Sequence, residues 1–288
     1  MIKPIVAGGV DFHALDDINP ETGEYKDPLM KMPLRGAAFS NEVGEGLRPL
    51  IGNYATLTWV PALLYIGADI YDKYKNDQTE YSPCSKRGLK QAVFQGMASI
   101  IFPLAAVKGG QGVFSLFGLL SKDKISINMQ EKISCLADSF ITNGNMHKYR
   151  GKDEECAKEF LDIVTNNIDY HSNKYLKVNK KENLTLYAQK TINDLIKMYN
   201  DVRSSAEEFT KSNWAKMYNK AISKGQTKNV AVKTVLSKYQ ASKEINGKII
   251  KTVGGFLALF LTISPIDKFV ENVLLDRLFV SKDNKKEV

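Results

Sequence analysis

The sequence contains no CxxC pair, no HExxH, no GxGxxG and no GxxxxGK(S/T). Its three cysteines, Cys84, Cys135 and Cys156, are odd in number and far apart, which argues against a disulfide framework and against a zinc site and is compatible with a reducing compartment. Histidine is equally sparse: His13, His147 and His171 are scattered. His171 follows Asp169 by two positions, and residues so spaced on a helix do not face each other, so all three read as ordinary surface residues. Gly109-Gly110-Gln111-Gly112 beside Lys108 is glycine-rich but lacks phosphate-loop spacing. With these constellations missing, the chain is expected to have no catalytic, cofactor or metal site and not to be an enzyme. A cleaved leader is also not expected. The apolar run after Lys3 is short and holds two glycines, and Asp11, Asp16, Asp17, Glu21, Glu24 and Asp27 make the N-terminus acidic where transit peptides avoid acids.

What the chain does have is unevenly distributed. It counts 288 residues, 43% of them hydrophobic, with a formal net charge of +8. Residues 121–251 hold 24 Lys+Arg against 15 Asp+Glu, and the remainder holds 16 against 17. The basic excess therefore belongs to the middle block. Lysines there alternate with acids and with apolar residues at helical spacing, the pattern of a solvated helical surface rather than of a nucleic-acid site.

Three uncharged apolar stretches flank that block: Pro49–Ala68, Gln91–Val107 and Thr252–Ile266. Each stops at a charged or proline-rich edge. None is an unbroken apolar run of the roughly 20 residues that a straight membrane span needs. Pro49 and Gly52 are expected to interrupt the helix preceding the first stretch, which Ser40 would cap and in which Arg48, three residues after Glu45, can pair with it. Pro103 should kink the second, and Lys108–Gly112 should end it. Ser264-Pro265 should close the third, before a last amphipathic helix with Phe269, Val273 and Leu278. In the middle block, apolar stripes predict four or five amphipathic helices, the fourth opened by a capping box of Ser205 and Glu208. Asn19-Pro20-Glu21-Thr22-Gly23 reads as a turn. The expected organisation is an irregular leader over 1–38, a hydrophobic helical core over 39–120 and 246–280, a basic helical insertion over 121–245 and a polar tail over 281–288.

The order of motifs carries a resemblance. Asn41-Glu42-Val43-Gly44-Glu45 and Arg48 precede the first apolar helix, which ends in Ala68-Asp69-Ile70-Tyr71-Asp72-Lys73. The second carries Phe94-Gln95-Gly96-Met97-Ala98-Ser99 and Pro103. The third ends in Pro265-Ile266-Asp267-Lys268, followed by Leu274-Leu275-Asp276. This resembles the mitochondrial fission process protein family, small integral proteins of the mitochondrial inner membrane, over residues 39–110 and 249–280. The chain departs from that family in three ways. Residues 121–245 replace a short connection, Ser264 stands where the family has histidine, and Lys268 stands where it has arginine. The resemblance implies an inner-membrane location, or the plasma membrane if the chain is bacterial, and a role in membrane organisation or fission.

The polar positions nearest the apolar helices are Glu42, Glu45, Arg48, Asp69, Asp72, Lys73, Asp267 and Lys268. A charge at membrane depth costs about 2.5–3.5 kcal/mol on insertion scales, so these groups should either pair, Asp267 with Arg48 being one pair that a folded-back N-terminal helix allows, or simply stop the helices at the headgroup level. The fold expected is all-α, with three apolar transmembrane helices and an inserted soluble helical domain. The expected partners are the lipid bilayer and, through the insertion, other membrane proteins. The alternative is a soluble or peripheral helical interaction module whose apolar helices form its own core.

Overall fold

The computed structural model describes residues 29, 34–76, 81–168 and 180–279. The expected turn at Asn19–Gly23, the Asp169/His171 pair, His13, most of the leader and the tail lie outside the described residues. Among the described residues the fold is all-helical, with one isolated antiparallel bridge, Asn76 to Tyr81. In chain order the helices are α1 (Leu34–Ala38), α2 (Ser40–Ile51), α3 (Trp59–Lys75), α4 (Ser85–Phe94), α5 (Phe102–Ser115), α6 (Ile127–Thr142), α7 (Asn145–Lys148), α8 (Asp153–Asn167), α9 (Lys181–Ser204), α10 (Glu207–Thr210), α11 (Asn213–Ser223), α12 (Lys228–Phe269) and α13 (Asp276–Phe279). Gly52–Thr58 and Leu116–Leu120 are 3₁₀ segments, and Gln95–Ile101 and Val270–Leu275 are π-helical.

The chain divides into two compact units, residues 1–112 with 251–288, and residues 113–250. The second unit is built as a water-soluble helical domain is built. Stripes at helical spacing on α6, α8, α9 and α12 supply Ile133, Phe140, Phe160, Ile192, Leu195 and Leu236 to one buried core, with the Phe140 and Phe160 rings edge-to-face at 5.5 Å. Its ion pairs, such as Lys190 to Asp123 at 2.8 Å and Lys243 to Asp194 at 2.7 Å, lie on the surface. The expected capping box is not formed. Ser205 adopts φ 53 at the end of α9, and Ser212 caps α11 by accepting from the Ala215 N–H at 3.3 Å.

The first unit follows expectation at one break and departs from it at others. The expected interruption falls at Gly52, where α2 ends with a φ of 60 that suits a residue without Cβ and a 3₁₀ segment follows before α3, while Pro49 lies inside α2. At 17 residues α3 is about 25 Å long, short of a hydrocarbon core of about 30 Å. The other two stretches go the opposite way. Lys108–Gly112 does not end the second helix, since α5 continues to Ser115, and Pro265 lies inside α12 rather than closing it. Two helical runs result, Ser85–Leu120 of 36 residues and Lys228–Phe279 of 52, roughly 54 and 78 Å at ~1.5 Å per residue. Among the described residues these two helices, not three, are long and apolar enough to cross a membrane. The leader is helical at its end, where α1 begins at Leu34. Ser40 caps no helix; its hydroxyl oxygen lies 2.7 Å from both the Ala37 and the Thr58 carbonyl oxygens, which share its single hydrogen.

Candidate functional site

The interior of the first unit is partly polar, with acids and amides buried beside apolar residues such as Ile66, Val107 and Leu259. Glu42 is 5% exposed, Asp69 2% and Gln95 2%, while Leu64, Phe260 and Leu261 on the outside are 70%, 72% and 75% exposed. Several buried polar groups are joined in a chain of contacts that begins at Pro103, in which Asn41 Oδ1 is left without a hydrogen-bond partner among the described residues. Proline has no N–H to give the carbonyl four residues earlier, and the Asn41 side-chain amide donates to that carbonyl, Ser99 O, at 2.9 Å. The Ser99 hydroxyl donates to Gln95 Oε1 at 2.6 Å. The Gln95 and Gln91 amides then both donate to Asp69 Oδ2 on α3. The π-helical turn Gln95–Ile101 ends just before Pro103 and presents Gln95, Ala98 and Ser99 to the interior, the use to which such bulges are often put.

One turn along α2, Glu45 takes a bidentate grip from Arg48, with Nε donating to Oε2 at 2.8 Å and Nη2 donating to Oε1. The indole N–H of Trp59 adds a third bond at 3.0 Å, and the Gln111 amide donates to the Glu45 backbone carbonyl at 2.8 Å. The Arg48 bond holds the Glu45 carboxyl below the usual carboxylate range against the opposing effect of burial. Arg48 is thus committed to Glu45, and the expected Asp267–Arg48 pair is not formed. Asp267 instead lies across a cavity from Glu42.

That cavity, about 120 Å³, is lined by α1 and α2 through Ala38, Phe39 and Glu42, by Tyr65 of α3, by Phe94, Gln95, Ala98 and Ser99, and by Ile263, Asp267 and Glu271 of the last helical run. The second π-helical turn, Val270–Leu275, carries Glu271, so both π turns border it. Burial, and then the charge of Asp267, push the Glu42 carboxyl up to about 8. Among the described residues no group of three or more His, Cys, Asp or Glu is placed to hold a metal ion.

The cavity brings Glu42 and Asp267 together. Asp69 sits in the amide network beside it, and Glu45 with Arg48 one turn away. Asp72 lies further along α3, accepting from Asn76 at 2.9 Å and pairing with Lys73 at 3.3 Å, and Lys268 is exposed and outside the cavity wall. Sequence reasoning missed Gln91, Glu271, Trp59 and Gln111, and used Asn41, Gln95 and Ser99 only as motif letters. Gln91, Gln95 and Ser99 did carry a signal: three polar residues at spacings of four inside an uncharged stretch share one helix face. No family model, curated protein or solved structure matches this chain.

Proposed function

We propose that the chain is a non-enzymatic integral membrane protein whose first unit is embedded in the bilayer through its own parts of the two long runs, residues 85–112 and 251–279. The observation that carries this reading is the inverted polarity of that unit. In the apolar window of each run only 22% is buried, so the helices turn their leucines and phenylalanines outward while amides and carboxylates face inward. A core helix of a soluble protein has the opposite distribution, and an exposed apolar surface of this extent asks for lipid. Gly110 supports it as well. A Cβ there would collide with the Gly254 carbonyl oxygen and Ala258 Cβ, the close backbone approach that joins helices where hydrophobic driving force is absent.

The motif order around Glu42, Glu45 and Arg48, Asp69 and Asp72, Gln95, and Pro265 to Lys268 extends the proposal to a protein resembling mitochondrial fission process proteins, acting on inner-membrane organisation or fission. In a bacterial cell the same reading places it in the plasma membrane. Alkaline carbonate extraction of membranes from cells expressing the full chain tests the membrane part. The chain is expected in the pellet, and release into the supernatant would favour the soluble or peripheral module. Co-fractionation with inner-membrane markers, and a change in organelle length on depletion, test the family part separately.

A further inference from the structure

The second unit exposes apolar side chains mainly at its two chain ends. Among its described residues ten large apolar side chains are exposed, and seven of them lie in the terminal segments 113–120 and 245–250, Leu120 being the most exposed at 82%. The two segments meet at Ile127, the first residue of α6. A Cβ on Gly118 would lie 2.8 Å from the Ile127 backbone nitrogen, and a Cβ on Gly247 would lie 2.8 Å from Ile127 Cγ2. The exposed residues of both segments therefore belong to one end of the unit. Phe117 is held there edge-to-face on Phe114 at 4.9 Å.

The turn after Leu120 adds charge to that end. Lys122 and Lys124 are exposed, and among the described residues neither is in an ion pair. The nearby acids are taken, Asp123 by Lys190 at 2.8 Å and Glu244 by Lys248 at 3.0 Å. Lys124 also holds a φ of 51, a left-handed conformation that glycine or asparagine adopts more readily. Its N–H donates to the Ser121 carbonyl at 3.1 Å, and the Ser121 hydroxyl donates to the Gly118 carbonyl at 2.6 Å, which fixes the turn. Among the described residues no hydrogen bond or ion pair of the Lys124 side chain offsets that strain.

We propose that this end of the second unit is an interfacial docking surface for anionic phospholipid, with Phe117, Leu120, Ile245 and Ile249 in the boundary between headgroups and acyl chains and Lys122 and Lys124 on the lipid phosphates. Two observations choose lipid as the occupant. Exposed apolar side chains beside unpaired lysines match a surface that is apolar below and negatively charged above. Residues 113 and 250 are also joined covalently to 112 and 251, so a bilayer that holds 85–112 and 251–279 brings both terminal segments past its headgroups. The inference rests on that membrane reading and deepens it by naming the lipid class.

The test uses the full chain with Cys84 and Cys135 replaced by serine and Leu120→Cys added. It is placed in nanodiscs of phosphatidylcholine alone, or of phosphatidylcholine mixed with phosphatidylglycerol, and treated with a membrane-impermeant maleimide, with peptide mass spectrometry as readout. Buried Cys156 stays unreactive while the fold is intact. Val230→Cys is the control outside the surface, exposed on α12 and about 22 Å along the helix from Ile245. Position 120 should label slowly in the anionic discs, and position 230 equally fast in both. Lys122→Gln and Lys124→Gln should each raise the rate at 120 in anionic discs roughly fivefold, as should added salt, without changing position 230. Lys124→Gly should raise it too, yet melt no lower than the parent because glycine relieves the backbone. Equal rates at 120 and 230 in anionic discs overturn the proposal. So does protection at 120 that is the same in phosphatidylcholine and insensitive to both lysines. Protection in detergent that grows with protein concentration assigns the face to a second copy and also overturns it. Carbonate extraction keeps the two readings apart. A chain that stays in the pellet while position 120 labels freely loses this inference alone, and a chain released to the supernatant loses both.

Discussion

Glu42 and Glu45 stand one turn apart on α2, and their surroundings move them in opposite directions. Glu45 has a cation and an indole N–H, so its carboxylate is favoured; Glu42 has burial and a neighbouring acid, so its acid form is favoured. The consequences for stability have opposite signs. Glu45 contributes stability that is present above its unfolded value near 4.5 and is lost as pH falls through its lower folded value. Glu42 binds a proton in the fold between about 4.5 and about 8 that the unfolded chain has released, so over that window stability falls as pH rises. The full penalty above the window is of the order of 5 kcal/mol for a shift from 4.5 to about 8. Thermal melts of the full chain in detergent from pH 5 to about 9 should therefore slope downward, and Glu42→Gln, which keeps the shape of the neutral acid, should flatten the slope and melt higher than the parent at the alkaline end. An unchanged slope in that variant would show that Glu42 is not the group responsible.

At the scale of elements, the sequence was most readable where apolar periodicity speaks alone. Met129, Ile133 and Phe140 lie on one helix and Leu184, Leu195 and Tyr199 on another, as their spacing implies. It was least readable at glycine and proline. Gly52 breaks a helix, yet Gly109, Gly110 and Gly112 sit inside α5 and Pro265 inside α12. The propensity of glycine to end helices is measured against water, which satisfies the freed backbone groups. In the bilayer proposed for these helices a break would expose unpaired N–H and C=O groups, which favours continuing the helix. The candidate site was half legible for a related reason: charges at helix edges draw attention, but neutral amides such as Gln91, Gln95 and Gln111 do not until a partner from another helix is in view. Among the glycines of α5 the structure separates two roles. Gly110→Ala places a methyl against the Gly254 backbone and should destabilise by about 1–3 kcal/mol, the usual cost of overpacking. Gly109 and Gly112 have nothing within 4 Å of an added Cβ, so alanine at either should be neutral or stabilising by up to about 1 kcal/mol from helix propensity. Detergent melts of the three variants check the ordering, and equal losses at all three would remove the close-approach argument.

For the whole molecule, the contrast between the two units predicts how the chain comes apart. Residues 113–250 have a core that is theirs alone, with Ile133, Phe160, Ala188, Leu195 and Val235 at no exposure, and a segment of that length buries enough apolar surface to fold independently. Among its described residues the first unit buries several polar groups, a small apolar cluster of Ala98, Val270 and Leu275 and scattered apolar residues such as Ile66, Val107 and Leu259, so amide and carboxylate contacts carry a larger share of its order. A fragment spanning Val113–Ile250 should therefore be soluble without detergent and melt in one cooperative transition, while the full chain should need detergent or lipid. Cys156 supplies a reporter. It is 2% exposed, and burial first and Asp153 second push its thiol up to about 11, so a thiol reagent reaches it only when the fold opens. With Cys135 replaced by serine to remove the exposed thiol, labelling of Cys156 in the fragment should stay negligible below the melting transition and rise with it. Its rate at low temperature should match the rate in the full chain, because the core that covers it is the same. Rapid labelling of the fragment, with protection restored only in the full chain, would mean that the second unit borrows its stability from the first and that the two do not fold as separate bodies.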